Sequence, residues 1–251
     1  MRWTRIVEAP GRRGSENMWI DDALLRRAPE GVAFLRLYRW TPACLSFGRH
    51  EPARLRYDRE RIHALGLDVV RRPTGGRAVW HAHEVTYAVA GPVGLFGSLA
   101  ATYRAIHEVL AAALRHLGLD ATLADAAARA PGPGAGPCFA APVGGEVLVG
   151  GRKVIGSAQL RDGHRFLQHG SILLADGQDL IGRVSRRPAA APAAAGLGAL
   201  LGRDITFAET ADAVAAAAER AWPGRWDGEE APHPAPDDSN PFADPEWTWR
   251  R

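Results

Sequence analysis

The chain has 251 residues, 46% hydrophobic and 24% charged, enough apolar material for one sizeable domain. No apolar run reaches the ~20 residues that span a bilayer, the arginine-rich first residues lack the apolar stretch of a secretory signal, and two cysteines, Cys44 and Cys138, are too few for a disulfide framework. A formal charge of +3 is only mildly basic: it does not call for nucleic acid, it suits an acidic protein partner, and with so few cysteines it leads us to expect a cytoplasmic protein that needs no membrane.

Asn17 to Leu25 carries apolar residues at helical spacing and reads as a helix ending near Pro29. Val32 to Trp40 is β-rich and is broken at Pro42; Leu45 to Arg49 is a short strand. Asp58 to Leu65 is a short helix closed by Gly66. Leu67 to Val70 is a strand that delivers Arg71-Arg72-Pro73-Thr74-Gly75-Gly76-Arg77-Ala78-Val79-Trp80-His81, a glycine turn and a further strand, with Glu84 to Val89 the strand beyond. Ser98 caps a helix from Leu99 to Leu117, closed by Gly118. The Pro/Gly run 131–137 excludes regular structure and leads into Cys138-Phe139. Glu146 to Val149, a Gly150-Gly151 turn and Lys153 to Arg161 form a hairpin. Asp162-Gly163 starts the next, with strand material at Arg165–Leu167 and Ser171–Leu174 around Gln168-His169-Gly170. Gln178 to Trp222 is alanine-rich and helical, interrupted near Pro188 and Pro192. From Pro223 the composition is that of a weakly ordered tail, although Trp247 and Trp249 suggest that its end docks. The order of elements predicts an α/β fold of the mixed α+β kind: a mostly antiparallel or mixed central sheet flanked by helices.

Three groups of residues bear on chemistry. Gly75-Gly76 permits positive φ and a close backbone approach, and consecutive amides there can form a nest for an oxygen; alone, such a pair is equally an ordinary hairpin. Arg72 and Arg77 beside it carry forks suited to carboxylate or phosphate. Cys138 on a rigid loop is a candidate nucleophile or a small buried hydrophobe; Cys44, in a strand, is the latter. Lys153 is the only lysine among 31 basic residues, which points either to a role arginine does not fill or to a chance survivor on an exposed hairpin, and Gly156, Ser157 and Ala158 leave room for a ligand beside it. A lysine can polarise a carbonyl, steady an oxyanion and acidify a thiol. His81 and His83 share one side of a strand; hydrogen bonding is favoured over metal because no further ligands complete a site. His169 is a turn histidine or a pocket wall.

Together these stretches resemble the superfamily of lipoate–protein ligases, octanoyltransferases and biotin ligases. The match runs through residues 71–81 with Glu84-Val85-Thr86-Tyr87, through Gly151-Arg152-Lys153-Val154-Ile155-Gly156-Ser157-Ala158-Gln159, and through Leu167-Gln168-His169-Gly170-Ser171. Weaker agreement lies in Asn17-Met18 with Asp21, and in Leu37 to Trp40 leading to Ser46-Phe47-Gly48-Arg49. The resemblance implies a biotin-ligase-like catalytic domain over residues 1–222, with 223–251 as the tail. It implies that Arg72, Thr74, Gly75, Gly76, Arg77, Ala78, Val79, His81, Gly156, Ser157, Ala158 and His169 line the acyl pocket, and that Lys153 contacts the reacting carbonyl. Cys138 in a Cys-Phe pair ahead of the Gly-x-Lys hairpin is similar to the cysteine-dependent octanoyltransferases. These imply octanoyl transfer from acyl carrier protein, through a Cys138 thioester, to a lysine of a lipoyl domain such as the glycine-cleavage H protein or a dehydrogenase E2 subunit, with no cofactor. An ATP-dependent lipoate ligase, and an amidotransferase between lipoyl domains, are the alternatives. Ala82, Trp19 and Gly144-Gly145 depart from the pattern.

Overall fold

Alternation along one strand sets the architecture. In Val32–Trp40, Ala33, Leu35 and Leu37 face one apolar core, while Val32, Phe34, Tyr38 and Trp40 face another. A strand buried on both sides belongs in the middle of a covered sheet. The computed structural model describes residues 1–27, 29–124, 145–187, 194–228 and 239–251. Its first half runs β1 (Arg2–Arg12), α1 (Gly14–Arg27), β2 (Val32–Trp40), β3 (Cys44–Phe47), α2 (Ala53–Arg56), α3 (Arg59–Ala64), β4 (Asp68–Arg71), β5 (Val79–His81), β6 (Glu84–Pro92) and α4 (Leu99–His116). Its second runs β7 (Ala121–Leu123), β8 (Val147–Val149), β9 (Arg152–Lys153), β10 (Ile155–Asp162), β11 (Arg165–Leu173), α5 (Leu180–Val184), α6 (Leu197–Leu201), α7 (Phe207–Ala221), β12 (Arg225–Gly228) and α8 (Pro245–Trp249).

Among the described residues the largest sheet has six strands in the order β10-β11-β6-β2-β1-β12. The four strands from β10 to β2 are antiparallel to their neighbours; β1 is parallel to both β2 and β12. The sheet is therefore mixed, as expected. Helices α4 and α7 cover one face, where Leu37, Val85 and Val89 meet Ile106, Leu110, Leu114 and Val214. Each such side chain, fully buried, contributes about 1.5–3 kcal/mol. Helix α1 covers the other face. Ser98 caps α4 by accepting the Ala101 N–H at 3.1 Å, and Thr206 caps α7 in the same way.

Two small sheets carry the glycine stretch and Lys153, while Gly156, Ser157, Ala158 and His169 lie on β10 and β11 of the large sheet. In one, β3 lies between β4 and β5, so the glycine stretch 72–78 is a crossover loop around β3 and not a hairpin. In the other, β7-β8-β9, Val149 pairs with Arg152 across Gly150-Gly151. Both glycines have positive φ, +55° and +74°, as a two-residue turn of this hand requires.

Several expectations change. Strand β1 was not anticipated. β11 runs unbroken through Gln168-His169-Gly170, so His169 is a mid-strand residue, facing Ala158 and Ala88, and not a turn residue. Of Gly75-Gly76 only Gly76 takes positive φ, +89°. The segment from Pro223 supplies β12 to the central sheet and, beyond 229–238, a docked end in which Phe242, Thr248 and Trp249 are buried. In these described parts it is packed structure, anchored by aromatic side chains that its Pro- and acid-rich composition obscured.

Candidate active site

The loop after β4 is held by one guanidinium. Arg72 NH1 donates to the Ser46 carbonyl (3.0 Å) and to Ser46 Oγ (2.5 Å), and NH2 donates to the carbonyls of Gly75 (3.2 Å) and Arg77 (2.8 Å). These bonds use the side chain to brace the loop from within. The loop also sits hard against Gly48: a Cβ there would lie 2.0 Å from the Gly76 carbonyl oxygen, so only glycine allows the two backbones to approach.

Two buried histidines, each oriented by a carboxylate, hold this loop and the strand it crosses: one bonds Thr74 and the other Ser46 of β3. His169 Nδ1–H donates to Asp21 Oδ2 (2.9 Å), which leaves Nε2 to accept from the Thr74 hydroxyl (2.6 Å). His81 Nδ1–H donates to Glu84 Oε1 (2.9 Å), and its Nε2 accepts from Ser46 Oγ (2.5 Å), the oxygen that Arg72 also reaches. Burial pushes the His81 pKa down despite Glu84, and Arg72 and His169 add to the shift, so the ring is neutral at pH 7 and this tautomer is the consistent one. Trp40 stacks on it with ring centroids 4.0 Å apart. Asp21 is anchored in turn: Arg36 NH1 (2.8 Å) and the Tyr38 hydroxyl (2.8 Å) both donate to it. Burial alone would raise the Asp21 carboxyl; the His169 hydrogen bond and the Arg36 charge outweigh it and hold the pKa below the ordinary range. Arg36 is itself wholly buried and balanced by Glu8 at 2.6 Å as well as Asp21.

A third polar chain leads toward Lys153, and its direction is set by its ends. The Gln159 amide donates to Gln168 (3.1 Å), Gln168 to the Tyr87 hydroxyl (3.1 Å), Tyr87 to Ser157 Oγ (2.6 Å), and Ser157 to His107 Nε2 (2.7 Å). His107 Nδ1–H ends the chain on the Gly145 carbonyl (2.8 Å). Burial pushes the His107 pKa down to about 3, outweighing the Gly145 bond, with Lys153 contributing in the same direction; the imidazole is thus neutral and a weak base. The residue after Gly145 is Glu146, whose carboxylate accepts from Lys153 Nζ at 2.7 Å, with both side chains buried. The lone lysine is therefore an interior residue.

Arg72, Val79, His81, Gly156, Ser157, Ala158 and His169 line one narrow cavity together with Met18, Tyr38, Trp40, Thr86, Gly170 and Ser171. Seven of the residues named from the sequence thus meet. Thr74 is buried behind this wall on His169, Gly75, Gly76 and Arg77 lie in the loop outside it, and Ala78 packs in a small core with Leu45 and Phe47. His83 is exposed and does not share the side of His81. Cys138 lies outside the described residues. Its walls are largely aromatic and aliphatic, from Met18, Tyr38, Trp40 and Val79, with Gly156, Ala158 and Gly170 as the small residues of the lining. A wider groove on the other side of the sheet, walled by Trp3, Phe96, Val109 and Trp222, contains none of these residues.

The sequence reading missed Arg36, His107 and Glu146. A signal existed for two of them. Arg36 interrupts an otherwise apolar face of β2, and His107 falls on the apolar stripe of α4, three residues before Leu110 and seven before Leu114. Glu146 carried no local signal.

With the geometry in view, comparison with known proteins places it. Residues 13–219 match the lipoyl protein ligase A/B catalytic domain. The chain is 40% identical over 189 residues to octanoyltransferase LipM of Carboxydothermus hydrogenoformans, covering 73% of this chain and 70% of that one. It is 38% identical over 234 residues to the LipM of Symbiobacterium thermophilum, covering 86% and 85%. Among solved structures, T. acidophilum protein Ta0514 with bound lipoic acid superposes with a TM-score of 0.78 at 21% identity over 99% of this chain and 100% of that one. Lipoate-protein ligase A bound with ATP superposes with a TM-score of 0.73 at 20% identity, over 99% of each. These two show the shared fold. The family match spans every residue that lines the cavity, and the chain belongs to the lipoyl protein ligase A/B catalytic domain family.

Proposed function

We infer that this protein is an octanoyltransferase, an acyltransferase that serves protein lipoylation. The observation that carries the reading is the joint one: a narrow, apolar-walled cavity built from the family motifs, in a chain about 40% identical to relatives named octanoyltransferase. The donor is an octanoyl thioester on acyl carrier protein, and the acceptor is a lysine of a lipoyl-domain protein, of which the glycine-cleavage H protein and dehydrogenase E2 subunits are candidates. The work is done in the cytoplasm.

The reaction proceeds in two displacements. The Cys138 thiolate adds to the thioester carbonyl; the tetrahedral oxyanion collapses, the bond to the carrier sulfur breaks, and the carrier leaves as a thiol after taking a proton. The acceptor amine then adds to the acyl-enzyme, loses a proton, and expels Cys138 as thiolate, leaving an amide. Lys153 stabilises both oxyanions. Its carboxylate partner Glu146 holds the ammonium in one place, which Arg could not reproduce with a larger planar group. The octanoyl chain lies against Val79, Gly156, Ala158 and Gly170, while His81 and His169 keep the loop at its mouth rigid.

The test is intact mass of the full chain after incubation with octanoyl-carrier protein and no ATP. A single octanoyl adduct, removed by hydroxylamine and absent in Cys138→Ser, is expected. Activity that requires free octanoate or lipoate with ATP, and no adduct, would overturn the reading in favour of a ligase.

A further inference from the structure

The loop that walls the cavity has a charged outer flank that the acyl reaction does not use. Arg71, the last residue of β4, is wholly buried. Its Nε donates to the carbonyls of Trp247 (3.2 Å) and Thr248 (3.0 Å), and its NH1 to those of Gly48 (2.7 Å), Arg49 (3.3 Å) and Glu51 (2.9 Å). Arg250, just after α8, stacks its guanidinium 3.8 Å from the Trp247 ring centroid and donates from NH2 to the same Arg49 carbonyl at 2.9 Å. Two guanidinium groups therefore converge on one carbonyl oxygen. The Arg251 carbonyl accepts the Arg54 N–H at 2.8 Å, which fixes the last residue beside them. His50 follows Arg49 in the same loop.

Two further observations point outward. Among the described residues, Arg71 NH2 and Arg250 Nε are buried donors with no acceptor. A donor left so costs about 1–3 kcal/mol, more when charged, and folded proteins keep few of them. The charges also repel one another. Burial, Arg250, Arg251 and Arg72 bring the Arg71 pKa down to about 10 against the opposing pull of Glu51, and Arg250 is lowered by burial, Arg49 and Arg251. Glu51 offers little relief, since its oxygens already accept from the Tyr57 hydroxyl (2.7 Å) and the Gly48 N–H (3.3 Å), with Arg56 at 3.6 Å. Unmatched donors amid concentrated positive charge fit an oxyanion brought from outside.

We propose that Arg71, Arg250 and Arg251, with Arg49 and His50, form a binding site for a phosphate-class oxyanion. Several cationic forks converging from different elements suit a tetrahedral oxyanion with more than two acceptor oxygens better than a lone carboxylate. The site adjoins the acyl cavity through one backbone bond, the Arg49 N–H to the Thr74 carbonyl at 2.8 Å. A donor could thus place its acyl group in the cavity and an anion here. Resting on the octanoyltransferase reading, the anion is the phosphodiester of the arm on which a carrier protein holds its thioester.

The experiment compares octanoyl-pantetheine, octanoyl-phosphopantetheine and the octanoyl-carrier protein as donors to the full chain. The phosphorylated small donor should exceed the unphosphorylated one by about tenfold in kcat/KM, mostly through KM. Arg250→Gln with Arg251→Gln should bring that ratio close to one, and the exposed single variant Arg251→Gln should lower it in part. The ratio is internal to each variant, so partial unfolding does not imitate the effect. A ratio near one in the unmodified chain, or one untouched by the double variant, overturns the proposal. A preference seen only with the intact carrier also overturns it, because the arginines would then read an acidic protein surface. Separately, phosphopantetheine without an acyl group should raise the Tm of the unmodified chain and not of the double variant. That measurement needs no transfer activity, so it stands even if the octanoyltransferase reading fails.

Discussion

The two faces of the central sheet are built from the same strands and do different work. On the α4/α7 face, Ala33, Leu35, Leu37, Val85 and Val89 make a core that is almost entirely apolar. On the α1 face, the intervening positions place Arg36, Glu84 and Thr86 among Phe34, Tyr38 and Ala88, and α1 answers with Asn17 and Asp21. Burying that many charges is justified by no stability gain, since a buried ion pair is on average no better than well-packed apolar groups. What the polar face obtains is orientation: the Asp21 and Glu84 carboxylates fix two histidine rings, and the rings fix Thr74 on the loop beside the cavity and Ser46 on β3 beneath it. The first face holds the fold, and the second spends some of that stability on a site.

This contrast can be broken at its strongest point by Asp21→Ala, which takes the carboxylate away from His169 and the Tyr38 hydroxyl and leaves Arg36 with Glu8 and Asn17 as its remaining acceptors. The expected cost is about 3–5 kcal/mol in urea melts, with octanoyl transfer lost. Combining Asp21→Leu with Arg36→Met should recover part of the stability and none of the transfer; recovery of both would show that orientation is not the purpose. On the apolar face, Leu37→Ala should cost about 2–5 kcal/mol, yet transfer per folded molecule should stay within about twofold. A loss of turnover beyond the loss of folded protein would erase the division between the faces.

His107 sharpens the comparison because it is a buried ionisable group on the helix that covers the apolar side. Its pKa is held down to about 3 in the folded chain, against 6.5 for the free side chain. Between those values the unfolded chain binds a proton that the folded one refuses. Stability should therefore fall as the pH falls through that window, by about 1.4 kcal/mol per pH unit for this one group. His81, shifted in the same direction, adds to it. In His107→Gln one proton's share of the slope should vanish from melts taken between pH 6.5 and 4; an unchanged slope would place the ring in contact with water. The smallest effect is expected from Arg104→Ala, which removes an exposed pair with Glu108 on α4 and should leave the midpoint unmoved.

Local patterns were legible where local forces decide. The periodicity and Ser98 cap of α4, the Gly150-Gly151 turn and the Asp162-Gly163 turn were all readable because each is settled within a few residues. The cavity wall was readable as well, since the contiguous strings 71–81, 151–159 and 167–171 supply most of it. What escaped depends on distant partners. Strand β1 does not alternate cleanly, and it is a strand because β2 and β12 flank it. Gln168-His169-Gly170 lay between two stretches of strand material, and pairing of Gly170 with Tyr87 on one side and Ser157 on the other keeps β11 extended through it. Glu146 matters only because the hairpin returns Lys153 to it, and the docked end around Trp247 depends on an Arg71 that lies 176 residues earlier.

The partial cover of β1 bears on how the molecule avoids polymerising. Strand β12 pairs with β1 only from Arg2 to Arg5, so no strand among the described residues closes the outer edge from Ile6 to Arg12. An open edge with an exposed Val7 is an invitation to another chain. The segment declines it by its composition. Pro10 has no N–H to offer, Glu8 and Arg12 set a linked charge pair along the edge at 2.8 Å, and the register against β2 shifts between Glu8 and Arg12, bending the strand out of line. Replacing Pro10 alone with a β-branched residue would open this self-limiting border to pairing, and the cost would appear as filaments rather than as a lower melting point.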